Sequence, residues 1–215
     1  MNSKKSWWLL IIVSIGVMVP FLAPYLSFNP NNSRIVINSN NLQFPALVAH
    51  IIFACIALIS GFFQFNSRIR EKKPRIHRLL GRLYVISVFL SGLLAFAVII
   101  YIENFAKATS FIALSFIWLF TCWKGYKSAL KRNMSEHRKW MIRSFGITLV
   151  AVSGRVIVPI LLLIYALLNG FNLPGGREQM VEEVLNVNIW VGLLLNIMIV
   201  EWIILSPKIR KNKDI

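Results

Sequence analysis

Residues 44–101 read FPALVAHIIFACIALISGFFQF, then NSRIREKKPRIHR, then LLGRLYVISVFLSGLLAFAVIIY. Two apolar runs, Phe44–Phe65 and Leu79–Tyr101, flank a short turn. At 1.5 Å per residue each run makes a helix of about 33 Å, enough to cross a hydrocarbon core of about 30 Å. Lipid offers the backbone no hydrogen-bond partners, so a run this long and apolar must satisfy itself as a helix. The turn carries Arg68, Arg70, Lys72, Lys73, Arg75 and Arg78 against one acid, Glu71. The stretch is a transmembrane hairpin with a basic mouth.

The same pattern extends in both directions. Further spans are read at Ser6–Phe28, Thr109–Ala129, Ile142–Leu168 and Ile189–Leu205. The chain of 215 residues is 57% hydrophobic with a mean hydropathy of +0.65, outside the soluble range. The predicted fold is all-α, a six-span transmembrane helix bundle, with residues 1–215 forming a single integral membrane domain.

Charge gives the threading. Twenty of the 24 Lys and Arg residues fall at the amino end, in alternate gaps or in the tail. Lys4 and Lys5 precede the first span, and the Arg68–Arg82 turn follows the second. Lys124, Lys127, Lys131, Arg132, Arg138, Lys139 and Arg143 follow the fourth. Lys208, Arg210, Lys211 and Lys213 form the tail. Arg34, Lys107 and Arg177 lie in the other gaps, and Arg155 lies inside a span. By the positive-inside rule both termini are cytoplasmic, and the protein is a multi-pass protein of the cell (plasma) membrane. The net charge of +16 is mostly juxtamembrane, so its expected partners are the bilayer and anionic lipids at the cytoplasmic face, not nucleic acid. No protein partner can be named from it. Cys55 and Cys122 both fall within spans and read as small packing residues.

The first span begins with Lys4-Lys5, as a signal peptide does. Its apolar run is too long for a signal core and no A-x-A-like site follows, so it reads as an uncleaved anchor. Pro20 and Pro24 are expected to bend its outer half. In the first outer loop, Arg34–Ile37 is a short run suited to local pairing. The last outer loop holds the turn Pro174-Gly175-Gly176, then Arg177–Leu185, whose apolar positions predict a short interfacial helix.

Two inner turns resemble each other. One reads Pro74-Arg75-Ile76-His77-Arg78, the other Ser135-Glu136-His137-Arg138. The two His lie 60 residues apart, about one helical hairpin, as a weak internal duplication would place them.

Small and polar residues recur at helical period, as they do where membrane helices face each other. Span two has His50, Ala54, Ala57, Gly61 and Gln64 on one face, with Ile51, Leu58, Phe62 and Phe65 expected toward lipid. Span three has His77, Gly81, Tyr84, Val88, Ser91 and Ala95. Span four has Ser115, Trp118, Cys122, Gly125 and Ala129. Span five has His137, Met141, Ser144, Thr148, Ala151 and Arg155. Intramembrane polar residues are His50, Arg155 and Glu201, and a charge in a span needs a partner or water. An Arg155–Glu201 ion pair between spans five and six is the expectation. Asn196 is placed on a different face from Glu201.

His77 and His137 open outward-running spans at similar depth, and three chemistries suit them. As cofactor ligands they would hold haem b, with Arg78, Arg82, Arg138 and Arg143 available for propionates. Six helices with His on the middle four resemble the cytochrome b561 architecture, from which this chain departs because span four has no His. As an anion site, two helix starts beside Arg suit a phosphate or lipid headgroup. The third reading is two solvated interfacial His. Beyond haem iron, two His are a weak metal signal.

The set of His50 with Gly61 and Gln64, then His77-Arg78-Leu79-Leu80-Gly81-Arg82-Leu83-Tyr84, then His137-Arg138-Lys139-Trp140-Met141-Ile142-Arg143-Ser144 and Arg155, resembles domain of unknown function 2306. That is a family of predicted bacterial membrane proteins. The resemblance covers roughly Phe44–Leu205. It implies a membrane protein in which His50, His77, His137 and Arg155 matter as a set, and it supplies no reaction. The favoured function is a haem b redox protein. The alternatives are a membrane binding or transport protein for an anionic lipid or metabolite, and a non-catalytic assembly factor.

Overall fold

The computed structural model describes residues 3–173 and 175–206. Pro174 of the predicted outer turn and the tail cations Lys208, Arg210, Lys211 and Lys213 lie outside the described residues, as does the side chain of Lys4. Among the described residues the chain is helical, with no strand. Among the described residues five helices are long and apolar enough to cross a membrane, or six with the bent pair 150–156 and 158–168 taken as one span. The contacts divide the chain into two compact units, Met1–Tyr101 and Ile102–Ile215.

The first unit starts with α1 (Ser3–Leu22), which runs into a 3-10 turn at Ala23–Ser27. Pro20 stays inside the helix, and Pro24 sits at the start of the 3-10 turn, where its missing N–H costs nothing. The loop after it, expected outside, does not pair as a strand. Arg34 donates its backbone N–H to Tyr25 Oη at 3.3 Å and its guanidinium to the Pro20 carbonyl at 2.9 Å. Ile35 and Ile37 pack onto a small core of Tyr25, Ala46, Leu47 and Val98. The buried Gln43 side chain holds the loop shut, accepting from Asn38 N at 2.6 Å and Ser39 N at 3.2 Å and donating to the Val36 carbonyl. Side-chain bonds to the backbone replace a ladder here because the loop must cover the ends of two helices.

Helices α2 (Gln43–Gln64) and α4 (Pro74–Ile99) form the hairpin, with the short α3 (Ser67–Lys72) in its turn. Ala57, Gly61, Tyr84, Val88, Ser91 and Ala95 of the two stripes are buried. Leu58 is also buried, and Phe62 and Phe65 meet Trp7 of α1 at ring distances of 5.6 and 6.1 Å. These three residues face α1, not lipid alone, because the anchor helix returns along that side.

The second unit has α5 (Phe105–Leu130) against α6 (Met134–Thr148), then α7 (Val150–Val156), α8 (Val158–Leu168) and α9 (Gly176–Leu205). The predicted fifth span is thus broken at Leu149 and Ile157, with a 40° bend between α7 and α8. Pro159, at the start of α8, lacks the N–H a continuous helix needs there. The predicted interfacial helix and sixth span are one helix of 30 residues, about 45 Å long. It exceeds the hydrocarbon core by several turns, so the polar Arg177–Leu185 stretch extends beyond the apolar layer without needing a break.

Within each hairpin the turn end is packed by a large residue against a glycine, with the sides exchanged. In the first, Gln64 of α2 lies against Gly81 of α4, 3.6 Å from where a Cβ would stand. In the second, Gly125 of α5 faces Met141 of α6, whose Sδ would lie 2.6 Å from a Cβ. Ser60 and Thr121, 61 residues apart, each bond back to the carbonyls three and four residues earlier.

Candidate functional site

Each of the three histidines is tied into its own hairpin. His50 Nδ1 lies 2.9 Å from the Ser91 carbonyl and 3.0 Å from Ser91 Oγ, which itself donates to the His50 carbonyl at 3.0 Å. A carbonyl can only accept, so Nδ1 carries the proton and a neutral ring keeps its lone pair on Nε2. His137 follows the same logic, with Nδ1 2.8 Å from the Gly125 carbonyl across the second hairpin. His77 is half-buried, and its backbone carbonyl accepts from Gln64 Nε2 at 2.6 Å. His77 belongs to the first unit and His137 to the second.

The expected Arg155–Glu201 pair is replaced by another. Glu201 is held by Arg143, Nε to Oε1 at 2.5 Å and Nη2 to Oε2 at 2.9 Å. Arg155 donates to the Ala151 carbonyl of its own helix. The antiparallel register explains the exchange. Asn188 Nδ2 donates to the Gly154 carbonyl at 2.9 Å, and Asn196 Nδ2 to the Gly146 carbonyl at 2.8 Å. Eight residues along α9 thus answer eight residues back along the broken span, which carries Glu201 opposite Arg143. Arg155 lies twelve residues farther on, about 18 Å along a helix.

Sequence reasoning set Asn196 apart from Glu201, but both face the same broken helix. Asn188 was not singled out at all. The available signal was spacing, because Gly146 and Gly154 repeat the eight-residue interval of the two asparagines. Each glycine carbonyl lies three residues before a break, where a helix is least able to satisfy it. Trp118 Nε1 donates to Thr148 Oγ1 at 2.9 Å, closing the α5–α6 side of the same stretch.

The turn end of the second hairpin gathers cations on aromatic rings. Lys124 Nζ lies 5.6 Å from the Phe120 and Trp123 centroids and 6.0 Å from that of Trp140. Lys127 Nζ lies 4.7 Å above Trp123, and the Arg143 guanidinium 4.6 Å above Trp140. The remaining expected anion ligands, Arg78, Arg82 and Arg138, are exposed. Among the described residues, ion pairs neutralise Arg70, Lys139 and Arg143. No group of three or more His, Cys, Asp or Glu able to hold a metal occurs among them.

Residues 47–204 match the family described as predicted membrane protein, DUF2306. The chain belongs to that family. The DUF2306 match runs from α2 to the last turn of α9, so it takes in all three histidines, the asparagine staples and the Arg143–Glu201 pair. Helix α1 lies before it. No curated protein and no solved structure matches the chain.

Proposed function

We propose that this membrane protein binds an anionic headgroup or metabolite at its cytoplasmic face, in the plasma membrane with both termini inside. The observation that carries this reading is the Lys124 and Lys127 pair held over Phe120, Trp123 and Trp140. Trp at the end of a span sits at headgroup level, and a basic residue there attracts anionic lipid by about 1 kcal/mol. Cations resting on rings, with no carboxylate paired to them among the described residues, are available to an incoming phosphate or carboxylate. Arg143 is different, since Glu201 balances it. Its role is to fix the pair of helices beneath the cluster.

The test is retention of phosphatidylglycerol, phosphatidylcholine and inorganic phosphate by purified protein, with and without Lys124→Gln and Lys127→Gln. Selective retention of phosphatidylglycerol identifies a lipid headgroup site, and binding of free phosphate identifies a soluble anion. Each substitution is expected to weaken binding about fivefold. Equal retention by parent and double variant removes the reading.

A haem b redox function is the second reading, and one feature favours it. The His137 ring gives its Nδ1 proton to a backbone carbonyl, the arrangement that leaves Nε2 to a metal. One residue expected at the propionates fits less well, because Arg143 is committed to Glu201. A visible spectrum of the detergent-purified protein decides it. A Soret band lost in His77→Ala and His137→Ala supports haem, and a colourless protein ends it.

A further inference from the structure

Between α1 and α2, inside the first unit, lies an apolar slot of about 770 Å³. Its α1 wall runs from Trp7 to Leu22 and its α2 wall from Cys55 to Phe65. The α2 wall spans ten residues, about 15 Å, and the α1 wall fifteen, about 22 Å, so the slot runs along half to three quarters of a hydrocarbon core of about 30 Å. Apart from Ser14 and Cys55, both walls are hydrophobic along this depth. Ser14 satisfies its hydroxyl on the Leu10 carbonyl at 2.7 Å, so the wall presents no unmet polar group there. Trp7 leans edge-on against Phe62 and closes on Phe65 at one end. At that same end the lining turns polar, with Asn66, Ser67 and Arg68. Arg68 is exposed, as is Lys5, two residues before Trp7.

We infer that this slot takes one acyl chain of an anionic phospholipid from the leaflet on the basic-turn side, with its phosphate at Arg68. Three properties select that occupant. The slot runs along α1 and α2 from the basic end, so a chain entering there lies between two apolar walls. Its lining is apolar until the level of the headgroups, where it becomes polar and cationic. The charge around its mouth is positive, from Arg68 and Lys5 with Lys72 and Lys73 in the same turn, while Glu71 offsets Arg70; it complements a net-anionic headgroup better than a zwitterion whose trimethylammonium offsets its phosphate. The site lies in the other unit from the Lys124–Lys127 cluster and does not rest on that reading. It is also built in part from α1, which precedes the region matched to the family.

The experiment is native mass spectrometry of the full chain, delipidated and then titrated with phosphatidylglycerol or phosphatidylcholine of the same chains. It is done in a Lys124→Gln, Lys127→Gln background, so that the second unit's cluster does not contribute. One phosphatidylglycerol is expected to bind more tightly than the bulk additions. Arg68→Gln is expected to weaken that binding about fivefold and to weaken phosphatidylcholine binding less, because choline's own cation offsets its phosphate. Cys55→Phe, which fills the slot, is expected to abolish the tight addition for both lipids. If Cys55→Phe does not fold, Ile59→Trp on the exposed rim of the slot serves in its place, with circular dichroism confirming helix content. Undiminished tight binding in the filled variant overturns the proposal. So does an Arg68→Gln effect that is equal for the two lipids.

Discussion

Asn196 of α9 gives its side-chain amide to the Gly146 carbonyl of α6 at 2.8 Å, in a buried position where neither group meets solvent. Gly146 precedes the first break of the fifth span, and Asn188 serves Gly154 before the second. One continuous helix thereby stitches a discontinuous one.

Replacing either asparagine by Leu should expose this dependence. A buried carbonyl left without its donor costs about 1–3 kcal/mol, and membrane hydrogen bonds fall toward the low end of that range. Asn196→Leu and Asn188→Leu should each lower the denaturation midpoint in detergent. The two sites are about 12 Å apart along α9, so the double change should be nearly additive. Unchanged midpoints in both single variants would mean the staples contribute nothing.

The α7–α9 contact should tolerate no added carbon. A Cβ on Gly192 would stand 2.9 Å from Gly154 N and 3.0 Å from its Cα, and backbone cannot rotate away. Gly192→Ala should therefore destabilise by about 1–3 kcal/mol through overpacking. Gly16→Ala in α1 is the control, since nothing lies within 4 Å of its Cβ position. Helix propensity predicts a neutral or slightly stabilising effect there. Thermal melts of the two variants side by side make the comparison.

Arg143 and Glu201 should couple, and Arg155 should not couple to Glu201. Their side chains are 23% and 37% exposed, so solvent screens part of the interaction. Each single Leu substitution should cost about 1–2 kcal/mol, less than a fully buried pair loses. The Arg143→Leu, Glu201→Leu double variant should be milder than the sum of the singles. A double-mutant cycle pairing Arg155→Leu with Glu201→Leu should return an interaction energy near zero. A larger value would restore the pairing expected from sequence.

Threading is tested by labelling single cysteines in intact cells, in a chain lacking Cys55 and Cys122. Gly175→Cys should react with an impermeant reagent, and Lys72→Cys should react only after permeabilisation. The reverse pattern would invert the protein in its membrane.

The sequence by itself determined the class of fold, the number of spans and the basic mouths of the hairpins. These follow from run length, hydropathy and charge, which act residue by residue against a bilayer of fixed thickness. It also determined which residues line the helix contacts, since Ala57, Tyr84, Val88, Ser91, Cys122 and Ser144 recur at helical period and are buried. Partnership was left to the tertiary structure. Glu201 stands one helix away from both Arg143 and Arg155, and only the antiparallel register fixed by Asn188, Asn196 and the Gly154–Gly192 approach selects Arg143. The return of α1 along α2 was equally invisible, because an apolar face reads the same whether lipid or another helix covers it. Periodicity reports which face is buried. Register and crossing depend on shape complementarity between two helices, and no single helix carries that information.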